Sequence, residues 1–288
     1  MTQSTTWVTE AQGDYLELRY KVNQVLFSQQ SPFQKVEIVE TDFFGKILLN
    51  DDLVMLTEKD EFVYHEMLAH VPLFVHPDPK RVLIIGGGDG GTAREVLRHP
   101  TVESCTLVEI DPVVVNACRA HLPQTACSFE HPKLQLQIED GVDFVAQTTE
   151  IFDVVLVDST DPVGPATPLF GLDFYRNVVR CLAPNGIVVS QAESPFFFAP
   201  MQLKLLEILQ ACLPLVSLYN YGNMSYPGGT WSFSFASQGL HPLADFNSER
   251  TIASGLDFQY YNGAIHQAAF ALPSFVRDRL LPFLTPLH

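Results

Sequence analysis

Three groups of residues in this sequence have the types and spacing to do chemistry. Gly86-Gly87-Gly88-Asp89-Gly90-Gly91 satisfies G-x-G-x-x-G and opens a helical stretch at Thr92-Ala93-Arg94-Glu95. Glycines there let the backbone turn sharply and approach a ligand at the positive end of a helix dipole. About twenty residues later, Glu109-Ile110-Asp111 closes a second apolar run, where a carboxylate can accept both hydroxyls of an adenosine ribose. Together these predict a nucleoside-bearing ligand. Asp89 inside the loop narrows the choice, since the pyrophosphate of a dinucleotide would be repelled by about 1 kcal/mol or more at short range. An acid there suits a positive arm, an amine or a sulfonium. S-adenosylmethionine carries a carboxylate on that arm, so Asp89 favours a version lacking it. The third group is Asp158-Ser159-Thr160-Asp161-Pro162-Val163-Gly164-Pro165. It puts two acids on a Pro-Gly-Pro loop after a buried run, where ligands of open α/β sheets bind.

The elements that must position these groups follow from periodicity. Beyond Arg81 the chain repeats strand then helix: VLII (82–85), TLVEID (106–111), LQLQI (134–138), FDVVLVD (152–158) and GIVVSQ (186–191). Continuous Val/Leu/Ile runs at this spacing predict a parallel sheet covered on both faces. VSLYNYG (216–222), a Pro227-Gly228-Gly229 turn and TWSFSFAS (230–237) predict a closing hairpin with one antiparallel strand. The expected α/β fold is a seven-stranded Rossmann-like sheet of the S-adenosylmethionine methyltransferase type. From Tyr15 to about Thr57 the pattern alternates instead: YKVNQVLF, FQKVEIVE, KILLN and LVMLT read as a small antiparallel meander. A helix from Glu58, carrying Phe62, Met67, Leu68 and Val71, is expected to be ended by Pro72, Pro77 and Pro79. The boundary is placed near Phe62, giving an N-terminal antiparallel β domain over 1–62 and a catalytic domain over 63–288.

Taken in order, TEKDEFVYHEMLAHVPL (57–73), VLIIGGGDGGTAREVLRH (82–99), VEID (108–111), EDGVDFV (139–145), FDVVLVDSTDPVGPA (152–166), Phe174-Tyr175, SYPGGTWSFSFAS (225–237) and YYNGAIHQAAFALPSFV (260–276) span nearly the whole chain. This series resembles the polyamine synthases, and within them the spermidine synthase (putrescine aminopropyltransferase) pattern. The resemblance implies transfer of an aminopropyl group from decarboxylated S-adenosylmethionine, a co-substrate and not a cofactor, to putrescine, releasing 5′-methylthioadenosine. It implies Asp158 as general base with Tyr64 beside it. His65, Asp89, Ser159, Thr160, Asp161, Gln191 and Tyr226 fall on the amine side. Gln34, Gly86, Gly88, Glu109, Asp140, Gly141 and Pro165 fall, with Asp89, on the methylthioadenosine side. It also implies homodimers or homotetramers formed through the N-terminal strands. Three positions depart from the pattern: Asp52 stands where glycine is usual, Met55 where glutamine is usual, and Gly263 follows Asn262 where proline is more usual.

The residue types suit that reaction. A primary amine with a pKa of about 10 must lose a proton before it attacks carbon, which requires a base. A sulfonium already leaves well, so neither metal nor covalent enzyme intermediate is needed. The alternatives are another acceptor (cadaverine, agmatine or spermidine), methylation of putrescine by intact S-adenosylmethionine, or a catalytically silent nucleoside binder.

Other readings are bland. His65 and His70 are five apart, about 140° round a helix, so H-E-x-x-H metal geometry is absent. His266 and the Phe196-Phe197-Phe198 run read as packing. With 17 Lys and Arg against 33 Asp and Glu, the net charge of −16 opposes a nucleic-acid partner. Five cysteines, an odd number without C-x-x-C, indicate reduced thiols and a cytoplasmic setting. No apolar run approaches the ~20 residues of a membrane span.

Overall fold

Alternating residues at the N-terminus build two antiparallel sheets. Residues 6–160 and 164–286 are described in the computed structural model, residues 164 and 165 by backbone alone. Strands β1 (Thr6–Gln12) and β2 (Leu16–Val22) form a hairpin, and β3 (Gln24–Gln30), β4 (Lys35–Thr41), β5 (Gly45–Asn50) and β6 (Leu53–Thr57) form a four-stranded sheet in chain order. The expected meander therefore needs correcting at two points. YKVNQVLF is not one strand: it breaks at Asn23, whose N–H donates to the Glu40 carbonyl (2.8 Å) and whose side-chain amide donates to Asp42 (2.6 Å). Freed by that break, β2 pairs with β1, a strand the sequence reading left out. Tyr20 and Val22 then pack over Val39, Ile47, Leu49 and Val54 of the larger sheet.

Helix α1 (Glu61–Val75) follows, and every residue of it but Phe62 is buried. Pro72 does not end it. The helix runs on to Val75, because the His76 N–H still reaches the Pro72 carbonyl (2.9 Å). An interior proline costs about 3 kcal/mol, and each buried large apolar side chain contributes about 1.5–3 kcal/mol. Burial of Leu68, Val71, Leu73 and Phe74 outweighs the proline.

The remaining elements alternate: β7 (Arg81–Gly86), α2 (Gly91–Leu97), β8 (Ser104–Glu109), α3 (Pro112–His121), the single turn α4 (Pro123–Ala126), β9 (Leu134–Ile138), α5 (Gly141–Gln147), β10 (Phe152–Asp158), α6 (Leu172–Arg180), β11 (Leu182–Gln191), α7 (Ala199–Cys212), β12 (Leu215–Gly222) and β13 (Thr230–Ser237). Three short helices, α8 (Ser248–Ala253), α9 (Gly263–Ala269) and α10 (Ser274–Leu280), end the chain. The sheet order is β12-β13-β11-β10-β7-β8-β9, with β13 antiparallel to both neighbours, as the hairpin pattern predicts. Successive residues of one strand serve opposite faces. Val82, Ile84, Val154 and Leu156 enter the core under α1, whereas Leu83, Ile85, Val155 and Val157 enter the core with Phe174 and Leu206. Two covered faces explain the unbroken apolar runs.

Candidate active site

Parallel pairing sets Asp158 opposite Gly86 at the carboxyl end of the sheet. There the chain must pass very close to itself. The Gly87 N–H donates to the Asp158 carbonyl (2.9 Å), and a Cβ at Gly87, whose φ is +72°, would lie 2.8 Å from Asp158 Oδ2. A Cβ at Gly88 would sit 2.8 Å from Glu109 Oε2. The glycine loop is thus what admits two carboxylates to one place.

All the expected site residues except two line one cavity at this edge: Gln34, Tyr64, His65, Gly86, Gly88, Asp89, Glu109, Asp140, Gly141, Asp158, Ser159, Thr160, Gln191 and Tyr226. Asp161 and the side chain of Pro165 lie outside the described residues.

Asp158 is held at both oxygens. Tyr64 on α1 donates its hydroxyl to Oδ1 (2.8 Å) and Thr92 on α2 donates to Oδ2 (2.6 Å). Burial, then the nearby Asp89 carboxylate, raises its pKa to about 6, opposed by His65 and the two hydroxyls. It is ionised at neutral pH and yet more basic than an ordinary carboxylate. Tyr64 is boxed by the edges of Tyr221, Tyr226 and Phe233, with ring centroids 5.0–6.1 Å away. An aromatic wall beside carboxylates suits a cation carried on methylenes. Tyr226 donates to the Met55 carbonyl (2.7 Å), and Asp60 accepts from the N–H and hydroxyl of Ser225, so the SYPGG loop is tied to the N-terminal region.

On the other side, the paired acids after β8 separate. Asp111 caps α3 by accepting from the Val113 N–H and receives the Ser31 hydroxyl (2.7 Å) and the Gln34 amide (3.2 Å). Glu109 faces the cavity, accepts the Asp111 N–H (2.8 Å), and is raised by burial to about 7. Asp140 caps α5 by accepting from the Val142 N–H (2.7 Å). Asp89 accepts the Gly91 N–H (2.7 Å) and faces His65 Nε2 at 3.3 Å.

Atoms of His65, Asp89 and Asp158 able to ligate a cation lie within 4.8 Å of one another. Both ring nitrogens of His65 face carboxylates, however, Glu61 at Nδ1 (2.5 Å) and Asp89 at Nε2. A ring protonated at both positions has no lone pair to give. His266 is structural as read: it is fully buried, stacked on Phe246 and bonded to Tyr261 and the Pro242 carbonyl. The Phe196–Phe198 run lies off the cavity, with Phe198 packed on Trp231.

Sequence reasoning missed several lining residues. Glu10 on β1 adds a buried carboxylate, and Trp231 and Asn50 complete the wall beside Met55, which the sequence had already marked as a departure. Asn50 is 7% exposed and its Oδ1 has no hydrogen-bond partner among the described residues. The signal for Glu10 is the β-prone run Thr6-Trp7-Val8-Thr9 before Gly13-Asp14. Thr92 gave no signal beyond its place after the glycines.

Comparison with known proteins follows the same division of the chain. A family model described as the spermidine synthase tetramerisation domain matches residues 6–58, and one described as the spermine/spermidine synthase domain matches residues 61–248. A polyamine aminopropyltransferase of Alkaliphilus metalliredigens is 44% identical over 276 residues, covering 95% of this chain and 97% of that one. One from Moorella thermoacetica is 44% identical over 275 residues, covering 95% and 96%. A spermidine synthase solved in complex with the transition-state analogue AdoDATO superposes with a TM-score of 0.95 at 40% identity, covering 97% of this chain and 96% of that one. The spermidine synthase of Thermotoga maritima gives 0.92 at 39%, covering 96% and 95%.

Proposed function

This chain belongs to the spermine/spermidine synthase family, and we propose that it transfers the aminopropyl group of decarboxylated S-adenosylmethionine to putrescine, giving spermidine and 5′-methylthioadenosine. The observation that carries the proposal is the Asp158 carboxylate, clamped by Tyr64 and Thr92 and facing Asp89 across a cavity walled by aromatic rings.

The nucleoside of the donor lies along Gln34, Glu109, Asp140 and Gly141, with its ribose hydroxyls donating to Glu109. Its aminopropyl ammonium sits on Asp89, for which a carboxylate on the same arm would be repelled. Putrescine lies past Tyr64, His65, Gln191 and Tyr226 with one nitrogen at Asp158; Glu10 adds negative charge for its second ammonium, the role that the family resemblance implies for Asp161. Asp158 takes a proton from the near ammonium. The freed lone pair attacks the methylene next to sulfur, a C–N bond forms, and the C–S bonding pair returns to sulfur as a neutral thioether. One proton passes to solvent. Desolvation and in-line alignment supply most of the acceleration, since holding two reactants together is worth about 7–11 kcal/mol in well-oriented cases. Nothing in the step calls for a metal or a further cofactor.

The family match over 6–58 supports a homo-oligomer, dimer or tetramer, assembled through the N-terminal sheets. No helix among the described residues is long and apolar enough to cross a membrane, and five free cysteines support a cytoplasmic setting. The test is to supply the purified protein with putrescine and either sulfonium donor and to identify products by mass. Spermidine from the decarboxylated donor is expected. Methylated putrescine from the intact donor, or no product, overturns the proposal.

A further inference from the structure

Behind the cavity, Asp89 and His65 continue into a buried chain of charge whose inner members, Glu61, Arg94 and Glu95, the reaction above leaves unused. His65 is 2% exposed and lies between Glu61 at Nδ1 (2.5 Å) and Asp89 at Nε2 (3.3 Å). Arg94 on α2 grips both oxygens of Glu61 (2.9 and 2.9 Å), and its Nε donates to Glu95 (2.8 Å). A neutral imidazole has one N–H and one acceptor nitrogen. Carboxylates at both nitrogens demand N–H at both, so the ring is an imidazolium. We infer that Glu61, held by Arg94, is a positioning residue: it keeps His65 doubly protonated and aimed at Asp89, so that a fixed cation of the protein stands beside Asp158.

The consequence is electrostatic and rests on the reading of Asp158 as base. Two carboxylates sharing a site repel, and one of them ordinarily takes up a proton. Here the imidazolium offsets the Asp89 charge and leaves Asp158 ionised. The titratable groups facing this cluster are Glu61, Tyr64 and His65 from α1, Arg94 from α2, Asp89 from the glycine loop, Glu109 from β8, Cys118 from α3 and Asp158 from β10. The Cys118 thiol is pushed up by burial and stays neutral. Burial works against a charged His65, but Asp89 and Glu61 outweigh it and hold its pKa up at about 10.

Two measurements test this. In wild-type protein labelled at histidine ring nitrogens, with the signal assigned by loss in His65→Gln, both His65 nitrogens are expected to remain protonated at pH 8.5. A ring that titrates near the ordinary 6.5 overturns the inference. In Glu61→Gln, the acid limb of kcat/KM should move up by about one pH unit. Turnover at high pH should recover toward wild type, and Glu61→Asp should restore most of the shift. A loss of activity equal at every pH, with the limb unmoved, also overturns it. If wild-type protein transfers no aminopropyl group, the functional reading fails, while the ring-nitrogen measurement still decides the role of Glu61.

Discussion

Asp158 and Glu109 are both raised by burial, and the difference in what they must do separates their pH signatures. As the proposed base Asp158, raised to about 6, would work only as the carboxylate, so with donor saturating at every pH kcat/KM for putrescine should level off above about pH 7 and fall about tenfold per unit below pH 6. Asp158→Asn keeps the shape and removes the base. Its turnover should drop by about 10²–10⁴, while methylthioadenosine, bound on the other side, should bind with little change. Near-normal turnover would contradict the assignment. As the proposed ribose acceptor, Glu109, raised to about 7, would act best when ionised. Affinity for methylthioadenosine is therefore full above pH 7 and lost below it, by about tenfold between pH 8 and pH 6. Calorimetry on Asp158→Asn reads that dependence free of the second titration; a flat profile would deny Glu109 the ribose. At this scale the sequence was most legible where backbone and chemistry coincide. Asp89, Glu109 and Asp158 announce themselves by standing in a glycine loop or at strand ends. Thr92 and the Glu61–Arg94 pair do not, because only folding decides which carboxylate a hydroxyl or guanidinium meets.

Among elements, the turn between β5 and β6 carries a cost that sequence reasoning located without explaining. Asp51 and Asp52 both have positive φ, +48° and +66°, the two-residue hairpin turn in which glycine is strongly preferred at the second place. Asp51 earns its position by accepting the Lys35 N–H (2.8 Å). Asp52 has only an exposed contact with Lys35 at 3.5 Å, worth well under ~1 kcal/mol. Asp52→Gly should therefore stabilise the protein by about 1 kcal/mol, the left-handed strain it removes, read as a higher denaturation midpoint; a lower midpoint would contradict the account. The strand-helix rhythm of the large sheet was readable because both faces of its inner strands β7, β8, β10 and β11 are buried. The path of α1 through Pro72 was not, since local propensity says stop and tertiary burial says continue. The β1–β2 hairpin was missed for a related reason: its alternation is short, and what stabilises it is a separate sheet.

At the scale of the whole molecule, a net charge of −16 surrounds a pocket that we propose takes two cations. Such a field raises encounter rates and is screened by salt. Raising ionic strength from about 0.02 to about 0.5 M should lower kcat/KM for putrescine several-fold with kcat nearly constant; a rise with salt would show that the field plays no part. Joining Glu10 on the first strand to Asp158 on the tenth required the fold. The most direct test of the account is a crystal structure of the protein with methylthioadenosine and spermidine bound. The account predicts a polyamine nitrogen within hydrogen-bonding distance of the Asp158 carboxylate and the thioether sulfur beyond it. A polyamine lying elsewhere, with Asp158 turned to solvent, would contradict it.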